Sequence, residues 1–525
     1  VKPGQVNEII VGIKTAWYAL DTTFHKRKAS SVNELRNMPL SMARWFGFVD
    51  AVYCSAGMKS GLVQPVELVA MGRTYTSDIF IRTSVEKNRL EADLELTNSS
   101  SSNVSAEVTC QAVNDKTNEV EKTFQSKKLT VPADGKAKIA ISQAWANPRL
   151  WWPEEDAAVY RMRTTVRVGG KVVDIQEETF GFREVTFEGK HCLLNGLRWH
   201  FWCWQGLSGK SNSPESWARG YRKLNHRFIR THGRSGLGKG EEGMELADRF
   251  GIAQFAPTYI NGMYLAYEFP NELVWKNFDR HVRQYVKAYR NHPSIIMWSL
   301  ANENLLVNGR LGFFKEYRKW EELSASLIDT QKEVDPTRRS FFDGAGDLGG
   351  LGEVDCNHYG WRYGVGFPRC AYEYPTGPPV QPRPRERDQL YLWTGDKPLI
   401  FGEVFFYSLG TPSQAWIGGP DVFRGVKQQD AGAMRYLRVA VEGARWQDTT
   451  GICLFASVHG SFKEGFKSYY PRAVFVKEYN SSFFAGSKYE RTIRVFNDGR
   501  KTDPLTLKWS LVLDGKSVHS GEKTY

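Results

Sequence analysis

The sequence predicts a multidomain protein of all-β and α/β parts: an antiparallel β-sandwich, then a (β/α)8 TIM barrel, then further β-structure. Three observations predict it. Residues 66–186 alternate apolar and polar side chains in short runs, separated by polar and Gly-containing turns. Residues 187–475 switch to short apolar runs alternating with long amphipathic ones, the pattern of parallel β/α units. From 476 onward short β-like runs return. At roughly 150 residues per domain, 525 residues make three or four domains.

Residues 1–65 mix short strands with irregular stretches; Pro3-Gly4 reads as a turn and Glu8 to Ile13 as a strand. In 66–186 the runs VELVAMG, DIFIRTSV, RLEADLELTNSS, NVSAEVTCQAV, KAKIAIS, VYRMRTTVRVGG and KVVDIQEETF supply about seven sandwich strands. The barrel strands read as LRWHFW (197–202), RFIRT (227–231), AQFA (253–256), IIMWSL (295–300), SFFD (340–343), VDCNHY (354–359), LIFGE (399–403) and ICLFAS (452–457). Amphipathic helical stretches such as SPESWARGYRKLN and NELVWKNFDRHVRQYVKAYRN lie between most of them. Eight strands over about 290 residues is the proportion of a TIM barrel. The last residues read as two strands joined by Asp514-Gly515, a favoured hairpin turn. Both ends read as interrupted inside β-domains, so the chain is expected to be a segment of a longer protein. A half-built sandwich leaves a sheet edge unpaired, and poor solubility of this segment follows as an expectation.

Composition narrows the function. A chain with 41% hydrophobic residues is not a disordered tail, and no run of about 18 apolar residues predicts a membrane helix. The net charge of +12 comes from scattered residues without a basic block, which argues against nucleic acid. A positive field does favour anionic partners, and an acidic oligo- or polysaccharide fits best. Seven cysteines, odd in number and without a C-x-x-C pair, argue against a disulfide framework or a zinc site. Core packing accounts for most of the 17 tryptophans.

Barrel chemistry sits at the C-terminal strand ends. Strand four runs into Asn302-Glu303 and strand seven ends at Gly402-Glu403, which puts two carboxylates on opposite sides of the mouth. Glycoside hydrolysis needs such a pair, one to protonate the leaving oxygen and one to attack or to position water. Arg230, at the end of strand two, is placed to keep a nucleophilic carboxylate ionised. Tyr359, at the end of strand six, is placed to donate a hydrogen bond to it. His232 and His358 are candidate sugar contacts. The long loop after strand six carries Trp361 as a stacking surface, with several arginines.

The residues Asn291-His292-Pro293-Ser294-Ile295-Ile296-Met297-Trp298-Ser299-Leu300-Ala301-Asn302-Glu303 resemble the acid/base signature of glycoside hydrolase family 2, with Ala301 where Gly is common. Trp151-Trp152-Pro153, Phe180-Gly181-Phe182-Arg183 and Leu194-Asn195-Gly196 resemble its domain junctions, and Lys397 to Glu403 its nucleophile strand. The resemblance implies the C-terminal part of a jelly-roll sugar-binding domain over 1–65. It further implies an immunoglobulin-like sandwich over 66–186, the catalytic barrel over 187–475 and a C-terminal β-sandwich starting at 476. It implies Glu303 as acid/base, Glu403 as nucleophile and Asn302 as a contact to the sugar 2-hydroxyl. It thus implies a retaining exo-β-glycosidase, read first as a β-galactosidase. β-Mannosidase, β-glucuronidase or an exo-hydrolase of sulfated galactan are the alternatives within the family, and a catalytically silent carbohydrate-binding protein the alternative outside it. No cofactor is required, and no ligand pattern demands the structural Mg²⁺ or Na⁺ of some relatives. An oligomer is allowed, and a periplasmic or secreted location is the expectation. Three features depart from the family pattern: His232-Gly233-Arg234 replaces His-Tyr-Pro, strand eight lacks its Trp, and no clear Asn-x-Lys follows Glu403. The last argues against a uronate-reading enzyme.

Overall fold

A computed structural model describes residues 4–12, 66, 68–154, 157–204, 213–223, 226–230, 240–258, 272–303, 317–358, 393–405, 438–455, 465–478 and 483–525. The jelly-roll portion expected over 1–65 therefore lies almost wholly outside the described residues.

The described residues of the sandwich form eight strands: β1 (Thr74–Ser84), β2 (Arg89–Asn98), β3 (Val104–Asn114), β4 (Val120–Thr123), β5 (Lys127–Val131), β6 (Gly135–Ala144), β7 (Tyr160–Val168) and β8 (Lys171–Phe180). One sheet runs β1-β2-β6; the other runs β4-β3-β7-β8, with β5 also on β3, and every pair is antiparallel. In β2 every second residue is buried, so Leu90, Ala92, Leu94 and Leu96 enter the core opposite Val108, Cys110, Tyr160 and Met162. Two expected strands do not form among the described residues. In VELVAMG, the described residues form no strand and Val66, Leu68 and Val69 are exposed; the pairing starts at Thr74 instead. Residues 8–12 are likewise irregular and exposed. An alternating pattern becomes a strand only where a partner edge and an apolar layer are within reach.

A small sheet of β9 (Val185–Glu188), β10 (His191–Leu194) and β11 (Leu197–Arg198) leads into the barrel. Asn195 and Gly196, both at positive φ (53° and 78°), form the tight turn that folds β11 back on β10. This corrects the expectation that 197–202 is one strand: the turn spends Leu197-Arg198 on the hairpin, and the first barrel strand begins at Phe201.

The barrel strands are β12 (Phe201–Trp204), β13 (Phe228–Arg230), β14 (Ala253–Pro257), β15 (Ile295–Asn302), β16 (Ser340–Asp343), β17 (Asp355–His358), β18 (Leu399–Phe405) and β19 (Gly451–Phe455). They form two parallel four-stranded halves, β13-β14-β15-β16 and β12-β19-β18-β17, which meet β12 beside β13 and β16 beside β17. Helices α1 (Pro214–Lys223), α2 (Gly240–Phe250), α3 (Glu272–Tyr289), α4 (Tyr317–Val334) and one at 438–447 lie between strands. The interior is aromatic: Phe228 and Phe255 have ring centroids 4.2 Å apart, and Phe255 and Phe341 5.1 Å. Trp275, Phe278, Val282 and Val286 recur every three or four residues on α3 and cover Trp298 and Leu300 of β15. Every residue of β15 is buried, as a parallel strand between helices and a packed interior requires.

Sandwich and barrel are joined at the barrel base. Arg183 donates to the carbonyls of Pro293 (3.0 Å) and Ile295 (2.9 Å). Asn291 pairs with both the Ile81 N–H and the Ile79 carbonyl, at 2.9 and 2.7 Å. Beyond the barrel, β20 (Arg472–Val476) pairs with β21 (Ile493–Asn497), and β22 (Thr506–Leu513) with β23 (Lys516–Thr524) through Asp514-Gly515. β20 begins before residue 476. Cys110, Cys192, Cys203, Cys356 and Cys453 are buried free thiols. Among the described residues no helix is long and apolar enough to cross a membrane.

Candidate active site

Six side chains converge at the C-terminal strand ends: Arg230 closes β13, Asn302 closes β15 with Glu303 next, Asp343 closes β16, His358 closes β17, and Glu403 lies in β18. Arg230, Glu303, Asp343 and Glu403 are all buried. A buried guanidinium must spend its donors on acceptors. Arg230 does so three ways: Nη1 to Glu403 Oε1 at 2.9 Å, Nη2 to Asn302 Oδ1 at 2.6 Å, and Nε to Asp343 Oδ2. Because the Asn302 oxygen accepts from Arg230, its Nδ2 is the donor end.

The two glutamates face each other, with one oxygen of Glu303 within 4.8 Å of one of Glu403. His358 lies between them: Nδ1 is 3.0 Å from Glu303 Oε1 and 3.8 Å from Glu403 Oε2, while Nε2 is 2.7 Å from Asp343 Oδ1. Its side chain is fully covered. The ring that the sequence offers as a sugar contact thus has carboxylates as its neighbours. Burial alone would strip its proton, but the charges of Glu403 and Asp343 outweigh burial and push its pKa up to about 10. Burial would raise Asp343 as well, yet Arg230 and His358 hold that carboxyl well below its ordinary range.

Glu303 has φ of +53°, unusual for a residue with a side chain, and its N–H donates to the Asp343 carbonyl at 2.7 Å. Asp343 therefore holds the turn after β15 through its backbone and the site through its side chain. It is absent from the sequence-level candidates. The signal was present, since SFFD ends in a carboxylate at a strand terminus just as strand seven does. Cys356 adds a further donor to Asp343, at 3.1 Å. His232, Tyr359 and Trp361 lie outside the described residues. Ligand-type atoms of Glu303, His358 and Glu403, and of Asp343, Cys356 and His358, cluster within 4.8 Å. His358 belongs to both groups, and Arg230 bonds one carboxylate of each.

Residues 74–183 match the family model described as glycosyl hydrolases family 2, and residues 184–373 match that family's TIM barrel domain. The chain belongs to glycoside hydrolase family 2. The signature that the sequence shares with the family divides in space: Asn291 and Pro293 tie sandwich to barrel, while Asn302 and Glu303 stand at the mouth. Among curated family 2 relatives, the β-glucuronidase of Canis lupus familiaris is 26% identical over 346 residues, 61% of this chain and 48% of that protein. That of Mus musculus is 25% identical over 369 residues, covering 66% and 50%. The chain thus spans about half the length of the curated relatives it matches. Of solved structures, β-glucuronidase 2 of Bacteroides uniformis aligns at TM-score 0.56 and 16% identity, over 86% of this chain and 62% of that one. A β-galacturonidase of Eisenbergiella tayi aligns at 0.54 and 18%, over 73% and 65%. Both share the fold.

Proposed function

We propose that this chain carries the active site of a retaining β-glycosidase that removes a terminal β-linked uronic acid. The observation that supports the reaction is the facing pair Glu303 and Glu403. Carboxyl groups about 5–5.5 Å apart suit double displacement, whereas a wider gap leaves room for the water of an inverting enzyme. The two have unequal partners. Glu403 is salt-bridged to Arg230, which holds the carboxylate in place and suits it as nucleophile. Glu303 then protonates the departing oxygen as Glu403 attacks the anomeric carbon, and deprotonates water in the second step. The Asn302 amide donates to the sugar 2-hydroxyl, a contact that strengthens in the oxocarbenium-like transition state. No redox cofactor enters this scheme.

The sugar is a separate question from the reaction. The uronide reading draws on the curated relatives, which are β-glucuronidases, and on the positive net charge of +12. It replaces β-galactosidase as the first reading. One observation favours the neutral sugar: no clear Asn-x-Lys follows Glu403 to read a carboxylate. The test is hydrolysis of p-nitrophenyl β-glucuronide, β-galacturonide, β-galactoside and β-mannoside by the full-length protein and its Glu403→Gln form. Cleavage of a uronide that the variant loses by several orders of magnitude is expected. Cleavage of the galactoside alone would restore the galactosidase reading. Equal cleavage by both forms would remove Glu403 as nucleophile.

A further inference from the structure

We infer that His358 is a cationic positioning residue: it bridges Glu303 to Asp343, stays protonated through both steps, and places the working pH range of the two glutamates. The inference rests on the glycosidase reading above. Its first support is geometric. The imidazole sits in a slot between two glycines, and any side chain at Gly344 (φ +73°) would begin 2.8 Å from His358 Nδ1, and one at Gly402 2.7 Å from Nε2. The slot admits a flat ring and orients both nitrogens. The second support is the path of contacts: Glu403 to Arg230, Arg230 to Asp343, Asp343 to His358, His358 to Glu303. The two glutamates are thereby tied to one framework from opposite sides.

The third is charge. The described groups facing His358 are Glu303 just after β15, Asp343 from β16 and Glu403 from β18. Arg230 of β13 stands behind Asp343 and Glu403, and Cys356 of its own strand donates to Asp343. With Arg230 and His358 positive, Asp343 and Glu403 negative, and Glu303 protonated, the buried cluster is neutral. After the first step the Glu303 proton is on the departed alcohol, the glycosidic C–O bond is broken, and Glu403 is an uncharged ester. Glu303 is now the anion, and the cluster is neutral again. A neutral imidazole would leave an uncompensated negative charge at both stages, which a dry site penalises. The proton on His358 is not transferred; it stabilises whichever glutamate is ionised.

The test is the pH profile of kcat/KM for His358→Gln in the full-length protein, with the aryl glycoside that it cleaves. Loss of a cation within about 4 Å allows both glutamate pKa values to rise, so both limbs are expected to move up by about one unit or more. A merely structural role lowers activity at every pH and leaves both limbs in place, which would overturn the inference. If His358→Gln does not fold, Gly344→Ala displaces the same ring and is expected to move both limbs upward by less; unmoved limbs there overturn it equally. An inactive Glu403→Gln with unmoved limbs in His358→Gln sinks this inference alone. A fully active Glu403→Gln sinks the glycosidase reading beneath it.

Discussion

Arg230 is 2% exposed and gives three donors to three different strands' residues. Removing it takes one donor from each of two buried carboxylates and from an amide oxygen. Arg230→Gln is therefore expected to cost about 3–5 kcal/mol, the usual penalty for breaking one side of a buried ion pair. It is also expected to reduce kcat/KM by at least about 10², the scale of losing one preorganised group at a reacting centre. Arg230→Lys keeps the charge but not the planar fork, so most of both losses should remain. Thermal melts and aryl-glycoside kinetics check both variants, and a Lys form with native activity would contradict this account of the fork.

At the scale of elements, two glycines behave oppositely because of where their strands and helices place them. Gly402, on β18, would put a Cβ 1.9 Å from Asp343 Oδ1. Gly402→Ala should therefore abolish most activity by displacing Asp343 and His358 together. Gly220, inside α1, has open space around its Cβ position. Gly220→Ala should stabilise by about 0.5–1 kcal/mol through helix propensity, with kinetics unchanged. Comparing the melting temperature and kcat of the two variants separates a site effect from a helix effect. A Gly402→Ala protein with native kcat would show that β18 does not press on Asp343 and His358 as described.

For the molecule as a whole, the joint between sandwich and barrel carries a pH dependence. His292 sits beside Asn291 and Pro293 of that joint, with Nδ1 2.6 Å from Asp248 and Nε2 3.1 Å from Glu241. Burial would lower its pKa, but Asp248 and Glu241 outweigh burial and push it up to about 10. A histidine raised in the folded state contributes stability that is fully present below its unfolded pKa of about 6.5. That stability is lost as pH rises through the folded value. The melting temperature should therefore fall between about pH 6.5 and 10, and His292→Gln should flatten that fall while lowering stability at pH 6. Parallel slopes in the two proteins would remove His292 as the cause.

Much of this was legible in the residues alone. Short alternating runs mark strands, long amphipathic runs mark helices, and their order dictates a sandwich before a barrel, since each must bury its apolar face. Glu303, Glu403 and Arg230 could be picked out because barrel chemistry sits at strand ends, a rule independent of side-chain detail, and Asn302 through the family resemblance. What tertiary structure alone decided is who faces whom. VELVAMG reads as a strand, but its described residues form none; Leu197-Arg198 belongs to a hairpin because Asn195-Gly196 turns first. His358 points into a glycine-lined slot between carboxylates, and Asp343 links Arg230 to that ring. Sequence spacing carries local period and strand polarity, whereas the closure of eight strands brings together residues more than a hundred positions apart. Only that closure sets the distances on which charge, proton affinity and reaction depend.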